Sequence, residues 1–358
     1  MASGGPSRSV PALAEHQSQV AGLRVQVFYQ DRGQPVVNLP TGDVDFKRVE
    51  SGIDAMVSNV TSSGASVLHL HGLWSPILHR AARRARRHGV PYVVSARGML
   101  TEWALGHRAW RKKIAWWLYQ KRDLLDAACL LASSEFEKQG IEALLPGHRI
   151  EVIPNSCAAA PEAVDGPNPL PAADGTRWAL ALGRLHRVKG YAELIEAWSR
   201  VRPFGWKLAI AGPDEGGYRS VLEQRIARHN LQQEVLLSGA ADETAKWSLL
   251  RQCELFLAPS HTENFGMAIA EALQAGRPVI TTRGTPWREL QEVECGWWVE
   301  LTPETLDQAL REATASTGEK LHAMGERGRA LIRDRYSWDS VAARTLEMYR
   351  SVLQGSPT

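Results

Sequence analysis

Residues 255–290, LFLAPSHTENFGMAIAEALQAGRPVITTRGTPWREL, read as one unit: a short apolar strand (255–258), a polar loop, a helix, a Gly-Arg-Pro break and a second strand (279–282). A strand, a helix and another strand in that order are the repeating step of an α/β fold with a parallel sheet. Glu263 and Glu271 lie eight residues apart, on either side of Asn264-Phe265-Gly266. If the interval were helical throughout, it would separate the two carboxylates by about 12 Å. That distance suits the two ends of one elongated ligand better than a pair sharing one proton. Two solvated glutamates are the alternative, because this spacing also recurs by chance.

The same alternation runs through the whole chain. In the first half, residues 23–29, 66–72, 91–96, 128–134 and 150–155 are the strand candidates, with helix-like stretches between them. In the second half they are WALALGRL, WKLAIAGP, EVLLSGA, CELFLAPS and RPVITTRG. Residues 161–175, PEAVDGPNPLPAADG, contain four prolines and no periodicity and read as a linker. The expected organisation is an N-terminal α/β domain over 1–160, the linker, a second α/β domain over 176–335, and a C-terminal helix over 336–358 that packs back on the first domain. The 358 residues suffice for two domains, and ligands of such sheets bind at the C-terminal ends of the strands. The chain opens at Ser3-Gly4-Gly5-Pro6 and a helix over 7–19, as if in the loop after a first strand.

Composition narrows the function classes. No run of eighteen apolar residues predicts a transmembrane helix, and the N-terminus lacks the pattern of a signal peptide. The four cysteines are widely spaced without a CxxC pair, so neither a disulfide framework nor a metal site is expected, and a reducing cytoplasm is. The net charge is +3, unevenly distributed: RAARRARRH (80–88) and HRAWRKKIAWWLYQKR (107–122) are basic.

Five constellations bear on chemistry. In Leu182-Gly-Arg-Leu-His-Arg-Val-Lys-Gly190, Gly183 permits a tight strand-to-helix turn, and Arg184 and Lys189 put two cations beside a helix N-terminus. This suits a phosphate, although the register is not that of a P-loop and no GxGxxG follows any strand. Gly4-Gly5-Pro6 would let backbone amides approach a phosphate, or would be a disordered tail. His69 and His71 share one side of a strand, with no ligand partner for a metal. His69 reads as a core histidine and His71, followed by Gly72, as a site residue. Arg97, in Ser95-Ala-Arg-Gly-Met99, would hold an acceptor or form a structural ion pair. IAGPDEGGY (210–218) is a strand end running into a turn.

Taken in order, GRLHRVKG, IAGPDEGGY, Ser-Gly-Ala-Ala (238–241) and TENFGMAIAEALQAGRPVITT, with HLHGLWSP, SARGML and IPN in the first half, resemble the retaining GT-B glycosyltransferases of family 4. The resemblance implies two doubly wound Rossmann-like domains facing across a cleft that binds the ligand. By the same resemblance Arg184 and Lys189 neutralise the donor diphosphate, Glu263 meets the donor sugar and Glu271 the ribose. Backbone groups of Asn264, Phe265, Gly266 and Met267 touch sugar hydroxyls and phosphates. Gly4 and Gly5 lie near the phosphates, and His71 near the donor sugar. No metal or other cofactor is implied. The family has a strand before its Gly-Gly loop, and Pro-Asn-Gly-Val-Asp where this chain has Pro154-Asn-Ser-Cys-Ala158.

Residues 108–122 mix Arg111, Lys112, Lys113, Lys121 and Arg122 with Trp110, Ile114, Trp116, Trp117, Leu118 and Tyr119. Such a helix lies on an anionic membrane surface or packs its tryptophans into its own domain. The expected activity is transfer of a sugar from a nucleotide-sugar to a glycan or lipid-linked acceptor in surface-polysaccharide assembly, at the inner face of the cytoplasmic membrane. A GT-B nucleotide-sugar epimerase and a catalytically impaired nucleotide-sugar binder are the alternatives. Nucleic acid is not an expected partner, because the basic runs carry no nucleic-acid motif.

Overall fold

The computed structural model describes residues 6–20, 22–29, 44–48, 66–101, 105–106, 109–157, 160–161, 170–171 and 175–355. The chain forms two compact units, Cys157–Tyr336 and a discontinuous one built from Met1–Ser156 and Ser337–Thr358. Most of the 161–175 stretch, with Gly4 and Gly5, lies outside the described residues.

The discontinuous unit contains α1 (Pro6–Ser18), β1 (Val25–Tyr29), β2 (Val44–Arg48), β3 (Leu68–His71), α2 (Pro76–Arg87) and β4 (Tyr92–Ser95). There follow α3 (Ala109–Ala115), a π-helical turn (Trp116–Gln120), α4 (Lys121–Leu125), β5 (Cys129–Ala132), α5 (Glu135–Leu144) and β6 (Ile150–Val152). Strands β3 to β6 form a parallel sheet in sequence order, and β1 pairs with β2 separately. Strand β2 is missing from the sequence reading: VDFKR is too short and too charged to mark itself as a strand. Both faces of β4 and β5 are buried, which suits their continuous apolar runs YVVS and CLLA. The C-terminal helix (Trp338–Gly355) covers this sheet: Val341, Ala342, Met348 and Val352 share one core with Val93, Cys129, Leu131 and Ile153. Its start is marked by Ser337, whose hydroxyl accepts from the Ser340 amide at 3.3 Å.

The continuous unit contains β7 (Arg177–Leu182), α6 (Tyr191–Val201), β8 (Trp206–Ala211), α7 (Tyr218–Arg228), β9 (Val235–Gly239) and α8 (Glu243–Gln252). Then come β10 (Leu255–Ala258), α9 (Met267–Gln274), β11 (Val279–Thr282), α10 (Glu289–Glu292), β12 (Gly296–Val299), α11 (Pro303–Ala315) and α12 (Gly318–Arg335). All six strands are parallel, in the order β12-β11-β10-β7-β8-β9. The order reverses between β7 and β10, the first and fourth strands of the unit. In open α/β sheets a ligand crevice forms at such a switch point, beyond the carboxyl ends of the strands. Strand β12, GWWV, is a sixth strand absent from the sequence reading, since its tryptophans give no alternation to recognise.

Two close backbone approaches draw the loops together at the switch point. Gly190, at φ 67°, precedes α6, and a Cβ there would stand 1.9 Å from the carbonyl oxygen of Pro259. Gly212 sits equally close to the Gly183 carbonyl. Only glycine leaves this space empty and accepts the left-handed conformation at Gly190. Gly190→Ala is therefore expected to lower stability by about 3 kcal/mol, measured as a shift in the urea unfolding midpoint. A change below ~0.5 kcal/mol would contradict the close approach.

Candidate functional site

Every loop residue singled out in the second half of the sequence falls at or beside this switch point. The loop after β7 carries Arg184 and Lys189, and the loop after β10 carries Glu263 to Gly266. Lys189 Nζ donates to Glu263 Oε1, which also accepts from the Ser260 hydroxyl at 3.2 Å. Both partners are largely shielded, at 18% and 19% side-chain exposure, so the contact is more than a surface ion pair. Arg184 is more open and pairs with Glu215 of the IAGPDEGGY turn. That turn is held to the β7 loop by a bridge between Leu185 and Asp214.

Helix α9 starts at Met267, preceded by Gly266 at φ 84°. No side chain caps its first turn, so its N-terminus presents backbone N–H groups and the positive end of the helix dipole. Glu263 lies in the loop and Glu271 on the helix, so only part of the interval between them is helical. Phe265 turns its ring inward among Trp287 and Tyr336, with centroids 5.3 and 5.7 Å away. The Phe265 carbonyl accepts from Trp287 Nε1 at 2.5 Å. This aromatic cluster fixes the backbone just ahead of the helix. Glu271 is met by Lys246 of α8, whose ammonium lies 2.6 Å from both Glu271 and Glu243. Lys246 was not anticipated. Its signal was a lysine inside the otherwise packable run AKWSLL, a buried cation in search of a carboxylate.

In the other unit, His71 ends β3 and Arg97 follows β4. Arg97 Nη1 donates to Asn155 Oδ1, and Nη2 lies 3.1 Å from His71 Nδ1. Among the described residues no carboxylate forms an ion pair with Arg97. Its Nε is buried with no hydrogen-bond partner. The His69 and His71 rings stand 3.9 Å apart. His69 is tied through Nδ1 to the Tyr349 hydroxyl at 2.5 Å and through Nε2 to the Ser95 hydroxyl at 2.8 Å. Burial holds His71 well below the ordinary value of 6.5, and neighbouring His69 and Arg97 push the same way. Burial likewise brings His69 down to about 3, with the Arg97 charge adding to it. Glu137, buried at the start of α5, accepts from the Gly98 amide at 2.5 Å and from the Ser133 amide at 2.7 Å. Among the described residues, no group of three or more His, Cys, Asp or Glu side chains is placed to hold a metal ion.

Comparison with known proteins gives the family and the fold. Residues 167–331 match the family "Glycosyl transferases group 1" and residues 4–156 the "Glycosyl transferase 4-like domain". The chain is similar to the GDP-mannose:cellobiosyl-diphosphopolyprenol alpha-mannosyltransferase of Xanthomonas campestris, with 28% identity over 82% of this chain and 76% of that protein. Its fold is similar to that of the sucrose-phosphate synthase of Thermosynechococcus elongatus (TM-score 0.75, 19% identity, 99% of this chain and 95% of that one). It is also similar to that of Anabaena HepE solved with UDP and glucose (TM-score 0.70, 17% identity, 97% and 96%). The chain belongs to the GT-B glycosyltransferases, family 4, and is a glycosyltransferase made of two Rossmann-like domains.

The buried histidines give a pH signature. Unfolding returns His69 to about 6.5, so the unfolded chain binds a proton that the folded one refuses. The contribution is fully present above pH 6.5 and is lost as the pH falls from there towards about 3. Urea unfolding between pH 6.5 and 5 should lose on the order of 1 kcal/mol per pH unit to this group. His69→Gln should show a correspondingly shallower decline; equal slopes would refute the assignment.

Proposed function

We propose that the chain is a retaining hexosyltransferase that takes a sugar from a nucleotide-diphosphate-sugar to a glycan or lipid-linked acceptor in surface-polysaccharide assembly. The observation that carries this reading is the contact between Lys189 and Glu263. It joins the β7 and β10 loops beside the uncapped N-terminus of α9. Cleaving a sugar–phosphate bond builds negative charge on the leaving diphosphate and oxocarbenium character on the sugar. Lys189, Arg184 and the α9 amides stabilise the first by fixed positive potential. Because these groups supply that potential, the reading needs no divalent ion. Backbone groups of Asn264, Phe265, Gly266 and Met267 bind the sugar hydroxyls and phosphates.

Glu263 has a double task in this reading. It holds Lys189 in place, and its carboxylate faces the sugar end of the donor. Glu271, with Lys246 against it, takes the ribose end, where a carboxylate accepts from hydroxyls. His71 gives a hydrogen bond to the transferred sugar. Gly4 and Gly5 lie outside the described residues, and their phosphate role rests on the family resemblance. Retention follows from attack by the acceptor on the face that the diphosphate leaves.

The acceptor side of the reading draws on residues 109–125. Gln120, Asp123 and Leu124 are buried and anchor the segment, the Gln120 carbonyl oxygen accepting from the Trp74 amide at 2.8 Å and Asp123 pairing with Arg86 at 2.8 Å. Trp110, Ile114, Trp117 and Leu118 are exposed by 63%, 51%, 76% and 76%, beside exposed Arg111, Lys113 and Arg122. The π-helical turn inserts an extra residue per turn and so sets Trp117 and Leu118 outward together, while Trp116 packs on the core. No described helix is long and apolar enough to cross a membrane. Exposed apolar side chains among cations fit an anionic bilayer surface, where a lipid-linked acceptor is presented.

Two experiments test the reading. In a thermal-shift and calorimetric panel of UDP-, GDP- and ADP-sugars, one donor should stabilise the chain. Lys189→Ala and Glu271→Ala should each weaken its binding about tenfold or more, the equivalent of ~1.4 kcal/mol. Glu263→Ala should depress kcat. Unchanged kinetics in all three variants would remove the site assignment, and donor conversion without any acceptor would favour an epimerase. For the membrane face, Trp117→Ser with Leu118→Ser should cut co-sedimentation with anionic phosphatidylglycerol vesicles about tenfold. Equal binding by variant and parent would end that part of the proposal.

A further inference from the structure

Arg97 is placed oddly for a charged side chain. Its backbone is left-handed, at φ 54°, and its Nε is buried without a hydrogen-bond partner beside the strand ends. Its described partners are both neutral, the Asn155 amide and the imidazole of His71. The charge of Glu137 reaches Arg97, but that carboxylate is hydrogen-bonded to the Gly98 and Ser133 amides, and a largely shielded guanidinium without a carboxylate of its own is costly, so its retention calls for another gain. The gain lies in what an arginine can do to a ring nitrogen.

We propose that Arg97 is the positioning residue of His71, fixing the ring proton on Nε2 by donating to Nδ1. A guanidinium has five N–H donors and no acceptor. The His71 nitrogen 3.1 Å from it must therefore accept, and the neutral ring then carries its proton on the opposite nitrogen. Asn155 braces the guanidinium from the far side of the fork. The ring plane is set by His69, 3.9 Å away, itself pinned between Ser95 of β4 and Tyr349 of the C-terminal helix. Strands β3 and β4 pair His71 with Ser95, which brings the two loops that follow them to the same height.

This inference rests on the reading that His71 meets the transferred sugar, and it explains why that histidine has such neighbours. An uncharged Nε2–H can donate to a sugar oxygen without adding positive charge beside a developing oxocarbenium ion. An imidazolium would oppose that charge. Arg97 keeps the proton off Nδ1; His69 of β3 is the other titratable group at the ring, and the groups that face Arg97 are Glu137 of α5 and Tyr349 of the C-terminal helix. The Glu137 carboxylate is already taken up by the Gly98 and Ser133 amides.

The test is direct on the intact chain labelled with 15N in histidine. Wild type should show His71 as the Nε2-protonated neutral tautomer, unchanged between pH 8 and pH 5.5. A ring protonated on Nδ1, or one that titrates near pH 6.5, overturns the proposal without any variant. Arg97→Met should give a tautomer mixture that titrates, with kcat down about tenfold or more and donor KM changed less than threefold. Its activity should fall further below pH 6.5 as the imidazolium forms. Arg97→Lys, which keeps one donor, should restore part of the tautomer bias and of kcat. A pure Nε2 tautomer persisting in a folded Arg97→Met chain overturns the proposal. His71→Ala separates this inference from the function beneath it. Intact turnover there removes His71 from the transfer reaction, while the tautomer change in Arg97→Met still supports the role of Arg97.

Discussion

Lys189 and Glu263 are 74 residues apart in the chain, yet their side chains meet at the point where strand order reverses. The same two loops are tied by backbone as well, the His261 amide donating to the Val188 carbonyl at 2.8 Å. Their contact, with the backbone approach of Gly190 to Pro259, turns two loops into one wall. Around it the rest of the unit is arranged in support: the Phe265–Trp287–Tyr336 cluster steadies the helix start, and Lys246 steadies Glu271. The site's polarity follows from this. A lysine held by a carboxylate costs less to shield than an unpaired one, and in the proposed reaction an arriving phosphate shares the same cation.

The discontinuous unit uses a different economy of charge. Its histidines are kept uncharged by burial and by an arginine; of its buried carboxylates, Glu137 is taken up by backbone amides and Asp123 pairs with Arg86. In the proposed reaction the leaving group needs cations, and the sugar needs neighbours that do not repel its positive character.

Much of the fold was legible because apolar runs in parallel strands are continuous and buried on both faces, as in RWALAL and LFLA. The order of motifs located the loop that carries Arg184 and Lys189, the helix that carries Glu271 and the tail helix. What escaped was nonlocal or weakly patterned. VDFKR and GWWV are strands by virtue of their neighbours rather than their composition. The π-helical turn at residues 116–120 changes which aromatic residues face outward, and helical periodicity carries no sign of it. Arg97, Lys246 and Glu215, the partners of His71, Glu271 and Arg184, lie 26, 25 and 31 residues away from them, across separate elements. One sequence read alone has no term for such pairings.

Tyr349, almost at the end of the chain, holds the ring of His69 near its beginning. Arg344 likewise donates to the carbonyl of Val152, and the C-terminal helix closes the core over β4 and β5. During synthesis the residues of the first unit emerge long before the helix that completes them. The histidine pair can therefore take its final arrangement only after the whole of the second unit has been made. The fold carries its own order of assembly: the Cys157–Tyr336 unit can finish alone, whereas the unit that holds His71 waits for the last helix. A chain cut short before residue 337 would keep the Lys189–Glu263 contact and lose the support beneath its histidines.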